Sequence, residues 1–215
     1  MIFNDYAKTQ SEKMKFLAKL SKGIVLDIGG SENPNRFLDE TDSVEEVYLL
    51  DIKEPSKQLP RKYRYFIRFD LNKIIEGRLP FNDGFFDTVI MGDILEHLYH
   101  PIALLREVAR ILKYDGVMLV SIPTPKYYIE MIHNLLFSRP MRFPDHKILL
   151  TRSQMKYFIE SHGFKIEKII GYSFWIPLLK IGFVNTRRKL PEVLTWQQIY
   201  ICRKRLKLYR KSPPH

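Results

Sequence analysis

Gly23-Ile24-Val25-Leu26-Asp27-Ile28-Gly29-Gly30-Ser31 is a short β-branched apolar run that meets an aspartate and then two glycines. Such a run reads as a buried parallel strand feeding a tight turn. Glycine in that turn permits positive φ and lets a ligand come nearer the backbone than a Cβ would allow. In an open α/β sheet, the carboxyl end of the first strand is where a nucleotide-like ligand sits.

Two more stretches point to the same edge. Val47-Tyr48-Leu49-Leu50-Asp51 and Tyr65-Phe66-Ile67-Arg68-Phe69-Asp70 read as second and third strands, each ending in an acid. With Asp27 they place three carboxylates around one crevice. Asp51 suits a bidentate grip on ribose hydroxyls, because a carboxylate accepts several hydrogen bonds, and it disfavours a 2′-phosphate. Turn chemistry at Pro80-Phe81-Asn82-Asp83-Gly84 leads into a fourth strand, Asp87 to Met91. A helix is predicted from Pro101 to Leu112 and a fifth strand from Val117 to Ile122. Upstream, Thr9-Gln10-Ser11-Glu12 has capping-box spacing and is expected to start an N-terminal helix; a short helix is expected near Arg36 to Glu40. This strand–helix alternation predicts a parallel sheet.

Beyond Pro123 the pattern changes. Prolines 123, 125, 140 and 144 bracket an amphipathic piece from Tyr127 to Phe137, so residues 123–150 are expected to form a small lid bearing the acceptor side of the site. Thr151-Arg152-Ser153-Gln154 is a second capping box, opening a helix that runs to His162 and stops at Gly163. Phe164 to Ile170 and Trp196 to Cys202 read as the sixth and seventh strands. The expected organisation is one domain over 1–215: a ligand-binding half at 20–122, the 123–150 insertion, a helix and strands at 151–202, and a basic tail at 203–215.

Composition narrows the class. With 45% hydrophobic residues among 215, the chain can bury a substantial core. The single cysteine, Cys202, excludes an internal disulfide framework and a cysteine-rich metal site, and no metal site is expected. It suits a reducing cytoplasm. Met1 to Lys15 has no continuous apolar core and does not read as a signal peptide. The net charge of +11 is uneven: from Arg187 to His215 there are nine Lys/Arg and one acid, Glu192, a net +8. Such a cluster serves anionic lipid, nucleic acid, an acidic substrate or plain solvation. The apolar run Phe174 to Val184 beside Arg187-Arg188-Lys189 reads as a buried connection, with peripheral contact to an anionic membrane as the alternative.

Leu26-Asp27-Ile28-Gly29-Gly30, Leu50-Asp51 and Phe69-Asp70-Leu71 together resemble the nucleoside-side motifs of class I S-adenosylmethionine-dependent methyltransferases. Leu79-Pro80-Phe81-x-Asp83-Gly84-x-Phe86-Asp87-x-Val89-Ile90 is similar to the fourth-strand motif of their small-molecule, methyltransferase type 11-like branch. Leu95-Glu96-His97-Leu98 with Pro101, and Leu105-Arg106-Glu107-Val108-x-Arg110-x-Leu112-Lys113, extend the likeness over about residues 20–172. The resemblance implies a Rossmann-like α/β fold, a seven-stranded and mostly parallel sheet flanked by helices with the lid after strand five, and S-adenosyl-L-methionine as cofactor. It implies that Gly29, Gly30 and Ser31 lie against the methionine end, with Asp27 near the amino group. It places Asp51 on the ribose, Ile52 on the adenine, Asp70 at the adenine amine beside Leu71, and the Gly92 backbone by the methionine portion. Ser31 and Asn33 stand where that family's turn carries later glycines, and asparagine at 33 is able to take a left-handed backbone. A cofactor-binding but inactive scaffold is therefore one alternative.

Methyl transfer from a sulfonium needs an aligned acceptor and, for a hydroxyl or acidic C–H, removal of a proton. His97 and His146 are the candidate bases, ahead of His100 and His133; Glu96 is read as orienting its loop, and Asp93 as a helix cap. Tyr127, Tyr128, Phe137, Phe143, Tyr172, Phe174 and Trp175 serve either an apolar acceptor pocket or the core beneath the lid. The expected function is methyl transfer to a small-molecule, lipid-linked or glycan-linked acceptor in the cytoplasm. The alternative acceptor is RNA, drawn by the basic tail. An NAD enzyme is disfavoured because the turn lacks Gly-x-Gly-x-x-Gly spacing.

Overall fold

The computed structural model describes residues 2–75, 78–124, 128–137, 146–172, 174–176, 181–183 and 195–205. Helix α1 (Ile2–Leu20) leads into β1 (Gly23–Ile28), β2 (Val44–Asp51), β3 (Tyr63–Arg68) and β4 (Phe86–Gly92). Helix α2 (Pro101–Ile111) and β5 (Leu112–Pro123) follow, then α3 (Tyr128–Phe137), α4 (Arg152–Ser161) and β6 (Phe164–Tyr172). The chain ends its described course with β7 (Phe174–Ile176), β8 (Ile181–Phe183) and β9 (Gln197–Lys204).

Seven strands form one sheet in the order β3-β2-β1-β4-β5-β9-β6. β1 to β5 run parallel, and β9 lies antiparallel between β5 and β6. The order reverses at β1 and β4, whose carboxyl ends flank a crevice, the usual place for a ligand in such sheets. Both faces are covered. On one, Leu104, Leu105 and Val108 of α2 and Met155 and Ile159 of α4 pack on Leu26, Val89 and Met118. On the other, Leu17 and Ala18 of α1 and Leu38 pack on Val25, Val47, Leu49 and Ile90. Asp27, two residues after Val25, shares this second face because side chains alternate along a strand.

Several expectations need correction. The N-terminal helix starts at Ile2, so Thr9 and Glu12 lie inside it rather than at its cap; residues 2–8 contain no proline or glycine to stop it. The helix expected near residue 36 is a three-residue 3-10 turn, Arg36–Leu38. The third strand ends at Arg68, and Asp70 instead caps the 3-10 turn Leu71–Lys73 by accepting from Asn72 N at 3.0 Å. Neither the β1–β2 nor the β2–β3 connection contains an α-helix, so α1 has an outsized share in covering its face. Part of the run read as a buried connection pairs as a small antiparallel ribbon, β7 with β8. Of the expected lid, residues 123–124, α3 and residues 146–150 are described; the remainder, and Arg187 to Lys189 and most of the basic tail, lie outside the described residues. Among the described residues, no helix is long and apolar enough to cross a membrane.

Candidate active site

A cavity of about 770 Å³ opens at the carboxyl ends of β1 and β4, with α1 as its third wall. Asp27, Gly29 and Gly30 line it from β1, Gly92 and Asp93 from β4, and Lys13 from α1. Four of the residues expected at the site therefore meet here.

Asp27 is 6% exposed and accepts a 2.6 Å hydrogen bond from the Tyr63 hydroxyl, which itself accepts from Asn35 N. Burial pushes its carboxyl up to about 6; the Tyr63 bond opposes that rise, and the nearby Asp51 charge adds to it. The carboxylate is thus poised to gain from a cationic partner. The glycines make room for it. A Cβ on Gly30 would lie 2.6 Å from Asp27 Oδ2, and Gly29 has φ +81 with Ile94 Cδ1 2.8 Å from where its Cβ would stand. Only glycine fits these two positions without displacement.

Ser31, in place of a glycine, causes no strain. Asp93 and Asp115 are the non-glycine residues with positive φ among those described, so neither Ser31 nor Asn33 takes the left-handed backbone considered for the turn. Ser31 is 1% exposed, and its N–H donates to Asp51 Oδ2 at 3.1 Å. Its hydroxyl is buried without a hydrogen-bond partner among the described residues, which is unusual for an interior polar atom. Asp51 also accepts from Lys53 N at 3.1 Å, so its carboxylate joins the β1 turn, through Ser31 N, to the residues just past β2. Each carboxylate oxygen retains a further lone pair for a ligand hydroxyl. Ile52 is 50% exposed beside it. Asp51, Ile52 and Asp70 do not line the cavity; they stand along the sheet edge next to it. Leu71 is packed in the core, turned inward by the capped 3-10 turn.

Asp93 is a site residue that sequence reading placed as a cap. Its side chain caps nothing: the residue before the 3-10 turn Leu95–His97 is Ile94, which makes no side-chain cap. Instead, Asp93 has φ 54 and accepts from Lys13 Nζ at 2.5 Å, Ser121 Oγ at 2.7 Å and Gln197 Nε2 at 2.9 Å. Burial raises its carboxyl, but Lys13 and these hydrogen bonds outweigh burial and hold it below the ordinary aspartate value. The network ties α1, β4, β5 and β9 together at the cavity wall. Partners 80 and 104 residues away leave no local signal in the sequence.

His97 and His146, the two candidate bases, lie side by side, with ring centroids 4.8 Å apart in a T-shaped pair. Glu96 lies with them, 1% exposed. Its carbonyl accepts from Lys147 N at 2.7 Å and Ile148 N at 3.2 Å, which brings His146 to the end of β4. His100 is exposed.

The methyltransferase domain family matches residues 4–169, more than three quarters of the chain. The fold is similar to a S-adenosylmethionine-dependent methyltransferase from Archaeoglobus fulgidus (20% identity, 95% of this chain and 100% of that one, TM-score 0.63). It is also similar to one from Aquifex aeolicus (14%, 90% and 89%, TM-score 0.58) and to the small RNA methyltransferase HEN1 (16%, 92% and 25%, TM-score 0.66). Among curated proteins, none matches the sequence. The chain belongs to the methyltransferase-domain family, with the class I, Rossmann-like sheet. It is an S-adenosyl-L-methionine-dependent enzyme, and the Gly29–Gly30 cradle, the poised Asp27 and the orphaned Ser31 hydroxyl fit that cofactor.

Proposed function

We propose that this protein methylates a small or lipid- or glycan-linked acceptor, which enters beside the His97–His146 pair. The observation that carries this reading is the placement of that pair past the end of β4, where His97 lies four and five residues beyond the cavity-lining Asp93 and Gly92 and His146 packs against it. When bound, the cofactor supplies an electrophilic methyl group on sulfur. Asp27 offers its carboxylate to the cofactor's ammonium, and Asp51 accepts from the ribose hydroxyls. Gly29, Gly30 and Gly92 let the methionine portion lie against backbone. Ile52 and Asp70 flank the adenine end. His97 and His146 face the acceptor atom and prepare it for transfer. Helix α3 adds exposed Met131, Ile132, Leu135 and Leu136 just beyond β5, an apolar surface that favours a greasy acceptor over a polyanion.

The charge supports a second reading, an RNA acceptor held by the basic residues from Arg187 onward. Affinity for RNA that falls steeply with salt would favour it. The site itself is tested by Asp51→Ala, expected to weaken S-adenosylmethionine about tenfold by loss of charge-assisted hydrogen bonds worth about 1.5–3 kcal/mol. Unchanged affinity by calorimetry would show that another acid holds the ribose.

A further inference from the structure

The cluster at the end of β4 has a composition that proton transfer alone does not need. Glu96, His97 and His146 offer one carboxylate oxygen and two imidazole nitrogens, all within 4.8 Å of one another. Two histidines and one carboxylate are the donor set of open metal centres that bind first-row divalent cations. Bonds of about 2.0–2.2 Å to such a cation place neighbouring donors about 3–3.5 Å apart, so side-chain rotations of roughly an ångström would close the set. The backbone already supports this arrangement. The 3-10 turn Leu95–His97 presents two of the donors in sequence, and the bonds from Lys147 N and Ile148 N to the Glu96 carbonyl hold the third donor's segment against it. Glu96 is 1% exposed, so the carboxylate of the cluster lies inside the protein and not on its surface.

We propose that Glu96, His97 and His146 form a divalent-cation site at the acceptor end of the crevice, and that the acceptor is an oxygen nucleophile. The inference rests on the methyl-transfer reading above for its chemistry, but not for its existence. Three protein donors leave coordination positions open. An acceptor hydroxyl taking one of them becomes more acidic and loses its proton to solvent. The resulting oxygen attacks the cofactor's methyl carbon; the O–C bond forms as the S–C bond breaks, and the sulfur leaves with the electron pair as a neutral thioether. The two imidazoles then act as neutral ligands rather than as bases.

The test uses the full chain and Co²⁺ alone as the probe, followed by its visible d–d absorption and by calorimetry. Wild type is expected to take one equivalent of Co²⁺ with the absorption of a nitrogen- and oxygen-bound ion. His97→Ala and His146→Gln are each expected to weaken binding by more than about tenfold, with S-adenosylmethionine affinity within about twofold of wild type, since neither residue lines the cofactor cavity. Should His97→Ala fail to fold, His146→Gln carries the comparison. No saturable Co²⁺ binding by wild type, or equal binding by His146→Gln, would overturn the proposal. Saturable Co²⁺ binding without any S-adenosylmethionine binding would leave the cation site standing and remove the methyl-transfer reading. Cofactor binding without Co²⁺ binding would do the reverse.

Discussion

Asp27 holds a carboxylate where burial disfavours its charge, and that sets its behaviour with pH. Its folded value of about 6 lies above the ordinary aspartate value of 3.8. Between these values the folded chain keeps a proton that the unfolded chain has released. Stability therefore falls as pH rises through that window, by about 3 kcal/mol once the pH exceeds 6. Asp27→Asn removes this penalty. The ligand-free variant is expected to be more stable than wild type at neutral pH and to lose the pH dependence between about 4 and 6, as read by scanning calorimetry. The same substitution removes the partner of the cofactor's ammonium, so affinity for S-adenosylmethionine should drop, and in wild type that affinity should decline as the pH falls below about 6. A variant that is less stable at neutral pH, yet binds cofactor normally, would contradict both roles. Such trade-offs are expected where a site needs a charge that the fold does not.

The helices and turns show how local patterns acquire or lose their meaning. Thr9-Gln10-Ser11-Glu12 and Thr151-Arg152-Ser153-Gln154 carry the same capping signature, yet only the second caps a helix: Thr151 Oγ1 accepts from Gln154 N, and the Gln154 side chain accepts from Thr151 N. Before Thr151 the chain is held extended by the bonds from Lys147 N and Ile148 N to Glu96. Nothing interrupts the helix before Thr9. The fourth-strand motif was legible as a family signature, and its work is structural. Arg110 of α2 donates to Leu79 O at 2.9 Å, Phe81 O at 2.7 Å and Asp83 Oδ1 at 2.8 Å, while Glu107 accepts from Leu79 N. One guanidinium thus fastens the turn before β4 to the helix after it. Arg110→Ala would strand Glu107, whose side chain is 14% exposed, and is expected to destabilise the protein by about 3–5 kcal/mol in urea denaturation. A loss under about 1 kcal/mol would mean that water replaces the guanidinium at these carbonyls.

Across the whole molecule, the cofactor cavity borrows one wall from α1, the helix that also covers one face of the sheet. Binding and folding are therefore linked. S-adenosylmethionine at about a hundred times its Kd should stabilise the chain by about 2.7 kcal/mol and raise Tm on the order of 5–10 °C. No shift at saturating cofactor would remove the binding site from this cavity. The mostly parallel sheet, the strands' places along the chain and the two-residue glycine turn were legible from residue order, because buried strands and turns imprint short periods on adjacent residues, and the cofactor class followed from the family resemblance of those motifs. Asp27, Gly29, Gly30 and Gly92 line one cavity, whereas Asp51 and Asp70 do not. What residue order left open was the company each side chain keeps: Asp93 among Lys13, Ser121 and Gln197, Asp27 under Tyr63, and Glu96 with His97 and His146. Those groups lie up to 104 residues apart, and only the packing of α1, β3, β9 and the 146–148 segment around the ends of β1 and β4 brings them together.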